Sequence, residues 1–375
     1  MGTGSPKPPA NRVIGHIDID YFYAQVEEVE DPSLKQRPVI VCVFSGRTED
    51  SGVVATANYR ARAFGVHSAM PIAQAKRKLE GRDPAIIRMD HEKYEVISAR
   101  IMDALENMVD TLEPTGIDEA FFDLTASTTG DYAKARERVA SIKKAIFDDE
   151  HLTSSVGLGR SKAVAKLGSD MSKPNGLTVV LPEETAKFLA PIPASKLYGV
   201  GPKTSASLTE MGISTVAELA MAEPAELERR FGRKFGGYLL AVATGMDDGK
   251  VTKGLEPTQF SRIVTLKQDT RDPKEILDQL SGGIDYVHEK LAASSRSFKT
   301  ITAIGILIDL STRTKSRSLE TPLDDPTTLR GSILSLFEEL GKSTGKDFRR
   351  VGIRVSGLSA TGTQGSLNEF LRLAR

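Results

Sequence analysis

Two short segments of this 375-residue chain set acidic residues among apolar ones. Residues 15–23 read GHIDIDYFY and residues 116–124 read GIDEAFFDL, and both alternate as β-strands do. Asp18, Asp118 and Glu119 should therefore lie beside a core, where like charges repel unless protons or cations neutralise them. Mg²⁺ prefers such carboxylate ligands, usually together with the phosphates of a substrate. The two segments together indicate phosphoryl transfer.

The acids also predict a local geometry. Side chains of adjacent residues on a regular strand point to opposite faces, so Asp118 and Glu119 can serve one cluster only at a turn or bulge. We expect a hairpin tip near Gly116. Taken alone, either segment is more often explained by acids that cap turns or pair with basic residues. Asp20 shares a strand face with Asp18 and is interpreted as a structural acid.

Composition excludes little but limits the alternatives. The formal net charge is zero, so any surface that attracts nucleic acid must be local. The single cysteine, Cys42, lies in the apolar run PVIVCVF and is expected to be buried. No apolar stretch reaches the length of a membrane span, and residues 1–11 form a polar leader without the apolar segment of a secretory signal. We expect a cytoplasmic monomer.

The order of patterns along the chain predicts several domains. Strands and helices alternate up to about residue 180, which indicates an α/β or α+β domain. Residues 181–245 are helical in pattern, residues 246–256 resemble a polar linker, and residues 257–360 form a second α/β stretch before a tail at 361–375. The breaks expected between helices of the helical part fall at five glycines: Gly199, Gly201, Gly212, Gly232 and Gly236.

Two further segments suit a bound triphosphate. In TANYRARAFGV, Tyr59 and Arg62 lie three residues apart and so share one helix face, with Thr56 near the helix start. A guanidinium and a phenol can both bind phosphate oxygens. Lys173, just before a Pro-Asn-Gly turn, could neutralise a phosphate. Each segment alone is better explained by solvated surface residues.

The remaining motifs suit nucleic acid. The segment LYGVGPKT matches a helix-hairpin-helix, in which Gly199 and Gly201 let backbone N–H groups approach a DNA phosphate beside Lys203. A glycine-rich turn between helices is the alternative. Basic residues that suit phosphate contacts cluster near the strands of the last domain, although a charged edge strand would look similar: Arg313, Lys315, Arg317, Arg349, Arg350 and Arg354.

With these segments in order, the chain resembles the Y-family translesion DNA polymerases, specifically the archaeal members of the DinB or DNA polymerase IV branch. HIDIDYFYAQVEEVEDPSL, RPVIVCVFSGR, VVATANYRARAFGV, IDEAFFDL and DMSKPNG carry the resemblance, which extends from about Val13 to Leu371. It implies a right-hand polymerase, multidomain α+β and α/β, with a palm at 12–22 and 90–180, fingers at 23–89, a helical thumb at 181–245 and a little finger at 257–360.

The resemblance also implies roles for single residues. Asp18, Asp118, Glu119 and the backbone carbonyl of Ile19 correspond to the ligands of two Mg²⁺ ions, for which Mn²⁺ could substitute. The nucleotide contacts would be Thr56, Tyr59, Arg62 and Lys173, with Tyr23 as the steric gate under the sugar and Val53 and Ala55 as the roof over the templating base. Without the resemblance, Tyr23 would be interpreted as a core aromatic residue. The tail resembles a motif that binds the sliding clamp through Gln364, Leu367, Phe370 and Leu371.

The activity so implied is low-fidelity, template-directed DNA synthesis past lesions, with primer–template DNA and dNTPs as partners. Two other classes stay open. A palm-domain nucleotide cyclase uses a similar set of acids but does not need a helix-hairpin-helix or a basic last domain. A non-catalytic DNA-binding scaffold has no reason to keep the three acids together with the triphosphate contacts.

Overall fold

The computed structural model describes residues 11–254, 257–323 and 325–360. The chain divides into two compact units, Met1–Val43 with Val53–Leu255 and Phe44–Gly52 with Glu256–Arg375, and only their described residues are considered below. None of the described helices is both long and apolar enough to cross a membrane.

The first unit is built on a five-stranded sheet of order β5-β6-β1-β7-β8. Strand β1 lies at its centre and pairs antiparallel with both β6 and β7. A separate three-stranded sheet has the order β3-β2-β4, and Cys42 is buried in β2 as expected. The strands are β1 (Ile14–Ile19), β2 (Val39–Phe44), β3 (Gly52–Ala57), β4 (Ala85–Arg88), β5 (Thr111–Pro114), β6 (Glu119–Asp123), β7 (Ser154–Gly159) and β8 (Leu177–Val179).

Helices cover the central sheet and enclose a core. Phe22 and Tyr94 meet Phe122 in this core, and each of these rings is almost fully buried. The helices of this part are α1 (Phe22–Glu30), α2 (Tyr59–Arg62), α3 (Ile72–Lys78), α4 (His91–Glu106), α5 (Thr125–Thr128), α6 (Tyr132–Glu150) and α7 (Lys162–Met171). The alternation of strands and helices expected up to residue 180 is confirmed.

The segment after residue 180 is helical, as its pattern predicts, but one predicted break is wrong. Gly236 lies inside helix α12 rather than between helices. A Cβ atom there would come within 2.8 Å of the backbone of Leu227, so the glycine allows helices α11 and α12 to approach closely. The helices are α8 (Thr185–Leu189), α9 (Pro202–Glu210), α10 (Val216–Ala220), α11 (Pro224–Phe231) and α12 (Arg233–Ala243).

The second unit is an antiparallel sheet of order β11-β10-β12-β9 with two helices on one face. Apolar side chains from β10 and β12, among them Ile301 and Val351, pack against these helices in a core of their own. The elements are β9 (Gln259–Thr270), α13 (Pro273–Ala293), β10 (Arg296–Leu307), β11 (Thr312–Leu323), α14 (Pro326–Thr344), β12 (Phe348–Ser356) and β13 (Ser359–Ala360), which pairs with the start of β10.

Candidate active site

The central sheet brings the three acids together. Asp18 on β1 lies directly across from Glu119 on β6, and the backbone N–H of Ile19 donates to the carbonyl of Asp118 at 2.9 Å. The hairpin tip predicted near Gly116 is confirmed, because β5 and β6 form an antiparallel hairpin in which Gly116 N–H donates to the Glu119 carbonyl at 3.2 Å. Asp118 therefore sits on the turn, where it escapes strict alternation.

Among the three acids, Asp118 has the carboxylate whose charge is least neutralised by neighbouring groups. Burial raises its pKa to about 6, and the neighbouring carboxylates of Asp18 and Glu119 add to the effect. Within the described residues, no side chain forms an ion pair or hydrogen bond with its carboxylate. Burial also raises the pKa of Asp18, against the opposing effect of Lys173. The nearby protein groups therefore do not fully neutralise a negative charge on Asp118.

Glu119 has basic neighbours that sequence reasoning missed. Its carboxylate accepts from Lys166 Nζ at 2.6 Å and lies 3.4 Å from His16 Nε2, while His16 Nδ1 is 2.8 Å from Ser169 Oγ. The hydrogen bond with His16, followed by Lys166, lowers the pKa of Glu119 to about 2 despite burial. His16 was visible on the face of β1 that carries Asp18, but nothing local pointed to Lys166, 47 residues beyond Glu119.

The acids are neighbours, yet they are not arranged as a finished metal centre. Across residues 11–254, 257–323 and 325–360, no three His, Cys, Asp or Glu side chains are placed so that they could hold an ion. Glu119 is instead bound to Lys166, and Asp18 is bound to Lys173. Their donor atoms are nevertheless the hard oxygens that Mg²⁺ prefers.

Two of the predicted triphosphate contacts, Lys173 and Tyr59, lie near Asp18, and a third, Arg62, lies against Tyr59. Lys173 Nζ lies 2.7 Å from Asp18 Oδ2. Burial raises the pKa of the Tyr59 phenol, the negative charge of Asp20 adds to the rise, and Arg62 and Lys173 oppose it. The guanidinium of Arg62 lies 5.0 Å from the centre of the Tyr59 ring. The Tyr59 hydroxyl is buried without a hydrogen-bond partner among the described residues. A buried hydroxyl left unpaired is costly, which is the situation expected where a ligand supplies the partner.

The other nucleotide-site predictions fall on β3 and α1. Thr56 is buried on β3, where alternation sets it on the face opposite to Val53 and Ala55. Val53 is 42% exposed, so this second face of the strand is open. Tyr23 on α1 is half-buried and its ring centre lies 4.5 Å from that of Tyr94; burial raises its pKa, and the negative charge of Asp118 adds to the rise.

The predicted DNA contacts lie in two places. Gly199, with φ of 85°, and Gly201 form an exposed loop that leads into α9, where Lys203 is also exposed. In the second unit, β11 is an edge strand, and its Lys315 and Arg317 pair with Glu339 of α14. Arg313 on β11 and Arg349 and Arg350 on β12 are exposed, and Arg354 is partly buried. The tail motif lies outside the described residues; it consists of Gln364, Leu367, Phe370 and Leu371.

A pH experiment tests the electrostatics of Asp118. An acid whose pKa is raised on folding contributes stability below its unfolded pKa and loses it as the pH rises through the folded value, here about 6. In EDTA, Asp118→Asn should therefore unfold like the wild type near pH 4 and be more stable by roughly 2 kcal/mol at pH 8. Thermal unfolding across this range measures the difference. Asp148→Asn, at an exposed site on α6, serves as the control, and a gain that does not depend on pH would contradict the assignment.

Sequence relatives agree with these features. The profile of the impB/mucB/samB family matches residues 17–170, that of its C-terminal domain matches 257–367, and one described as "DNA polymerase-iota, thumb domain" matches 195–247. The chain is 40% identical to DNA polymerase IV of Methanosarcina acetivorans over 96% of its length and 99% of the relative. It is 37% identical to DNA polymerase IV of Nitrosopumilus maritimus, with the same coverage of both chains.

Solved structures agree as well. A Y-family DNA polymerase chimera, Dbh-Dpo4(243-245)-Dbh, superposes with a TM-score of 0.87 at 33% identity, over 93% of this chain and 99% of the other. The insertion ternary complex of Dbh DNA polymerase gives a TM-score of 0.67 at the same identity and the same coverage. The fold is thus the Y-family polymerase fold, with a helix-hairpin-helix thumb. The chain belongs to the impB/mucB/samB family and, within it, to the DinB or DNA polymerase IV branch of the Y-family DNA polymerases.

Proposed function

We propose that this DNA-directed DNA polymerase copies past template lesions with low fidelity and transfers nucleotides by a two-metal mechanism. One observation carries the proposal: three partly buried acids lie beside a separate group of side chains that suit a triphosphate, with Lys173 in contact with Asp18. The acids suit cations and the basic group suits phosphates, so both halves of a nucleotidyl-transfer site lie next to each other.

The acids would hold the metal ions. The donor set is hard oxygen from Asp18, Asp118, Glu119 and the backbone carbonyl of Ile19, and the uncompensated Asp118 carboxylate supports a cation at this position. Two Mg²⁺ ions, when bound, lower the pKa of the primer 3′-hydroxyl and stabilise the departing pyrophosphate. Mn²⁺ would substitute because it accepts the same ligands.

The basic group would hold the incoming dNTP. The unpartnered Tyr59 hydroxyl can donate to a phosphate oxygen, and Arg62, Lys173 and Thr56 would complete the contacts. This orients the α-phosphate towards the primer terminus, and orientation alone can supply a large part of the rate. Tyr23, whose pKa is raised by burial and further by the negative charge of Asp118, would lie under the sugar as a steric gate, and Val53 and Ala55 would form an open roof over the templating base.

The remaining segments would hold DNA. We propose a palm at 12–22 and 90–180, fingers at 23–89, a thumb at 181–245 and a little finger at 257–360. The exposed loop with Gly199, Gly201 and Lys203 suits a phosphate contact. Related structures include an insertion ternary complex and a post-insertion binary complex of Dbh DNA polymerase, which supports primer–template DNA and dNTPs as partners. Clamp binding through the tail and a monomeric state remain predictions.

Basic residues of the little finger divide into two groups. Lys315 and Arg317 are paired with Glu339, so they are partly neutralised within the protein. Arg350 and Arg354 lie on β12 opposite Thr265 and Ser261 of β9, and they alternate with the buried Val351, Ile353 and Val355, so they face away from the helices. Among the proposed contacts, this helix-free face of the sheet is the better candidate for tracking a phosphate backbone.

Primer extension tests the proposal. Purified protein, a labelled primer on a longer template, dNTPs and Mg²⁺ should yield products whose sequence follows the template, and EDTA should stop the reaction. A template with an abasic site or a bulky adduct should still be copied. Formation of a cyclic nucleotide from a triphosphate without DNA would favour the cyclase class, and DNA binding without extension would favour the scaffold class.

A further inference from the structure

The turn that carries Lys173 is held by a buried carboxylate and a half-buried ammonium group from distant parts of the chain. Residues 172–176 read SKPNG and connect α7 to β8. Asp20, just after β1, and Lys143, on α6, both contact the backbone of this turn, and neither has a role in the chemistry described so far. A buried charge that binds only backbone and hydroxyl groups needs an explanation, because burial alone is unfavourable.

Asp20 holds the turn by accepting a hydrogen bond from the backbone N–H of Asn175. The side chain is fully buried, and its Oδ2 accepts from the backbone N–H of Asn175 at 2.8 Å and from Thr153 Oγ1 at 2.8 Å. Oδ1 accepts from Ser155 Oγ at 2.7 Å. The hydroxyl donors on β7 and just before it therefore fix the carboxylate, and the carboxylate fixes Asn175.

Lys143 holds the same turn through its carbonyl groups. Its Nζ lies 2.8 Å from the carbonyl oxygens of Ser154, Asn175 and Gly176. An ammonium group has three hydrogens, so these contacts use its full capacity. Asn175 is thereby bound at both its N–H and its C=O, in a left-handed conformation with φ of 54° that asparagine tolerates better than most residues.

The contacts that Asp20 and Lys143 make with the turn lie next to a proposed nucleotide contact. Lys173 is two residues before Asn175, and its Nζ lies 2.7 Å from Asp18 and 3.0 Å from Asp170. A lysine on a mobile turn would lose conformational freedom when it binds a phosphate. On a turn that is already fixed, much of that freedom has been lost before binding, so binding costs less.

We propose that Asp20 and Lys143 are positioning residues that hold Lys173 in place for the triphosphate of the incoming nucleotide. The inference rests on the proposed role of Lys173, and neither positioning residue touches the nucleotide. Asp20 thus differs from Asp18 in its proposed task, because its carboxylate binds the turn that carries Lys173 instead of a metal ion.

The test separates nucleotide binding from the chemical step. Asp20→Ala should raise the KM for dNTP by about 10- to 100-fold, the range expected when hydrogen bonds to a charged group are lost, while kcat falls less. Asp20→Asn should restore most of the affinity, because the amide oxygen can accept from Asn175 and the amide nitrogen can donate to Ser155 Oγ. Lys143→Met should behave like Asp20→Ala and provides a second variant.

A binding measurement and a control variant distinguish the positioning of Lys173 from a general loss of protein stability. Binding of dNTP to enzyme on a primer that ends in a dideoxynucleotide should weaken by the same factor, with unchanged affinity for the primer–template. Val139→Ala, at a core position on α6, should lower the Tm without a change in KM. If Asp20→Ala and Lys143→Met retain the wild-type KM while the wild type polymerises, the positioning role is wrong and the polymerase assignment stands. An inactive wild type would instead refute the function itself.

Discussion

Replacing Asp118 by alanine is expected to lower the rate of primer extension by about a thousandfold or more, although the protein stays folded. Asp118 lies at the tip of the β5–β6 hairpin with a buried carboxylate, and no neighbouring side chain pairs with it among the described residues. Its removal relieves repulsion in the apo protein, so stability should not fall, but it also removes a ligand from the proposed metal pair. Loss of activity without loss of stability is the combination expected of such an acid.

Single-turnover extension of a labelled primer in Mg²⁺ measures the effect. Asp148→Ala, at an exposed acid on α6, is the matched control and should extend the primer at the wild-type rate. Asp118→Asn should be as inactive as the alanine variant, even though it is expected to be more stable at pH 8. Extension by Asp118→Ala at a rate within tenfold of the wild type would show that the metal assignment is wrong.

The second large effect is expected at Tyr23. Tyr23→Ala should raise the incorporation of ribonucleotides relative to deoxyribonucleotides by about 100-fold, because a 2′-hydroxyl would no longer meet the ring. The ring is held against Tyr94, with their centres 4.5 Å apart, so it cannot easily turn away from a bulkier sugar. The gain should appear as a lower KM for the ribonucleotide, with little change for the deoxyribonucleotide.

Tyr23→Phe distinguishes the ring from its hydroxyl group. It keeps the aromatic ring and should therefore keep the discrimination against ribonucleotides. Rates with matched dNTP and rNTP opposite the same template base give the ratio directly. Equal discrimination by the wild type and Tyr23→Ala would refute the gate and leave Tyr23 as the core aromatic residue that its packing also allows.

Features set by local pattern were predictable from the sequence. The hairpin tip follows from the adjacency of Asp118 and Glu119, and the strands follow from their alternation. The short strand β4 was not predicted, since four residues between charged segments carry too little periodicity. The break predicted at Gly236 is wrong because a sequence does not show whether a glycine ends a helix or lets a second helix approach it.

Contacts between distant segments were not predictable. Lys166 bound to Glu119 and Lys143 bound to the 172–176 turn both depend on how helices α6 and α7 pack across the sheet. Asp20 was recognised as a structural acid, but its partner Asn175 is 155 residues away. Propensity and spacing report on neighbours in sequence, whereas these pairs arise only from the tertiary arrangement.

The central position of β1 also has a consequence for the order of assembly during synthesis. Asp18 is made early, yet β1 pairs with residues 119–123 on one side and 154–159 on the other. A nascent chain shorter than about residue 160 lacks one of these neighbours, and closing such long loops is slow. Strand β1, which carries Asp18, can therefore be paired on both edges only after β7 has been synthesised. Ribosome-bound chains arrested before and after β7 should differ sharply in the protease resistance of residues 12–20.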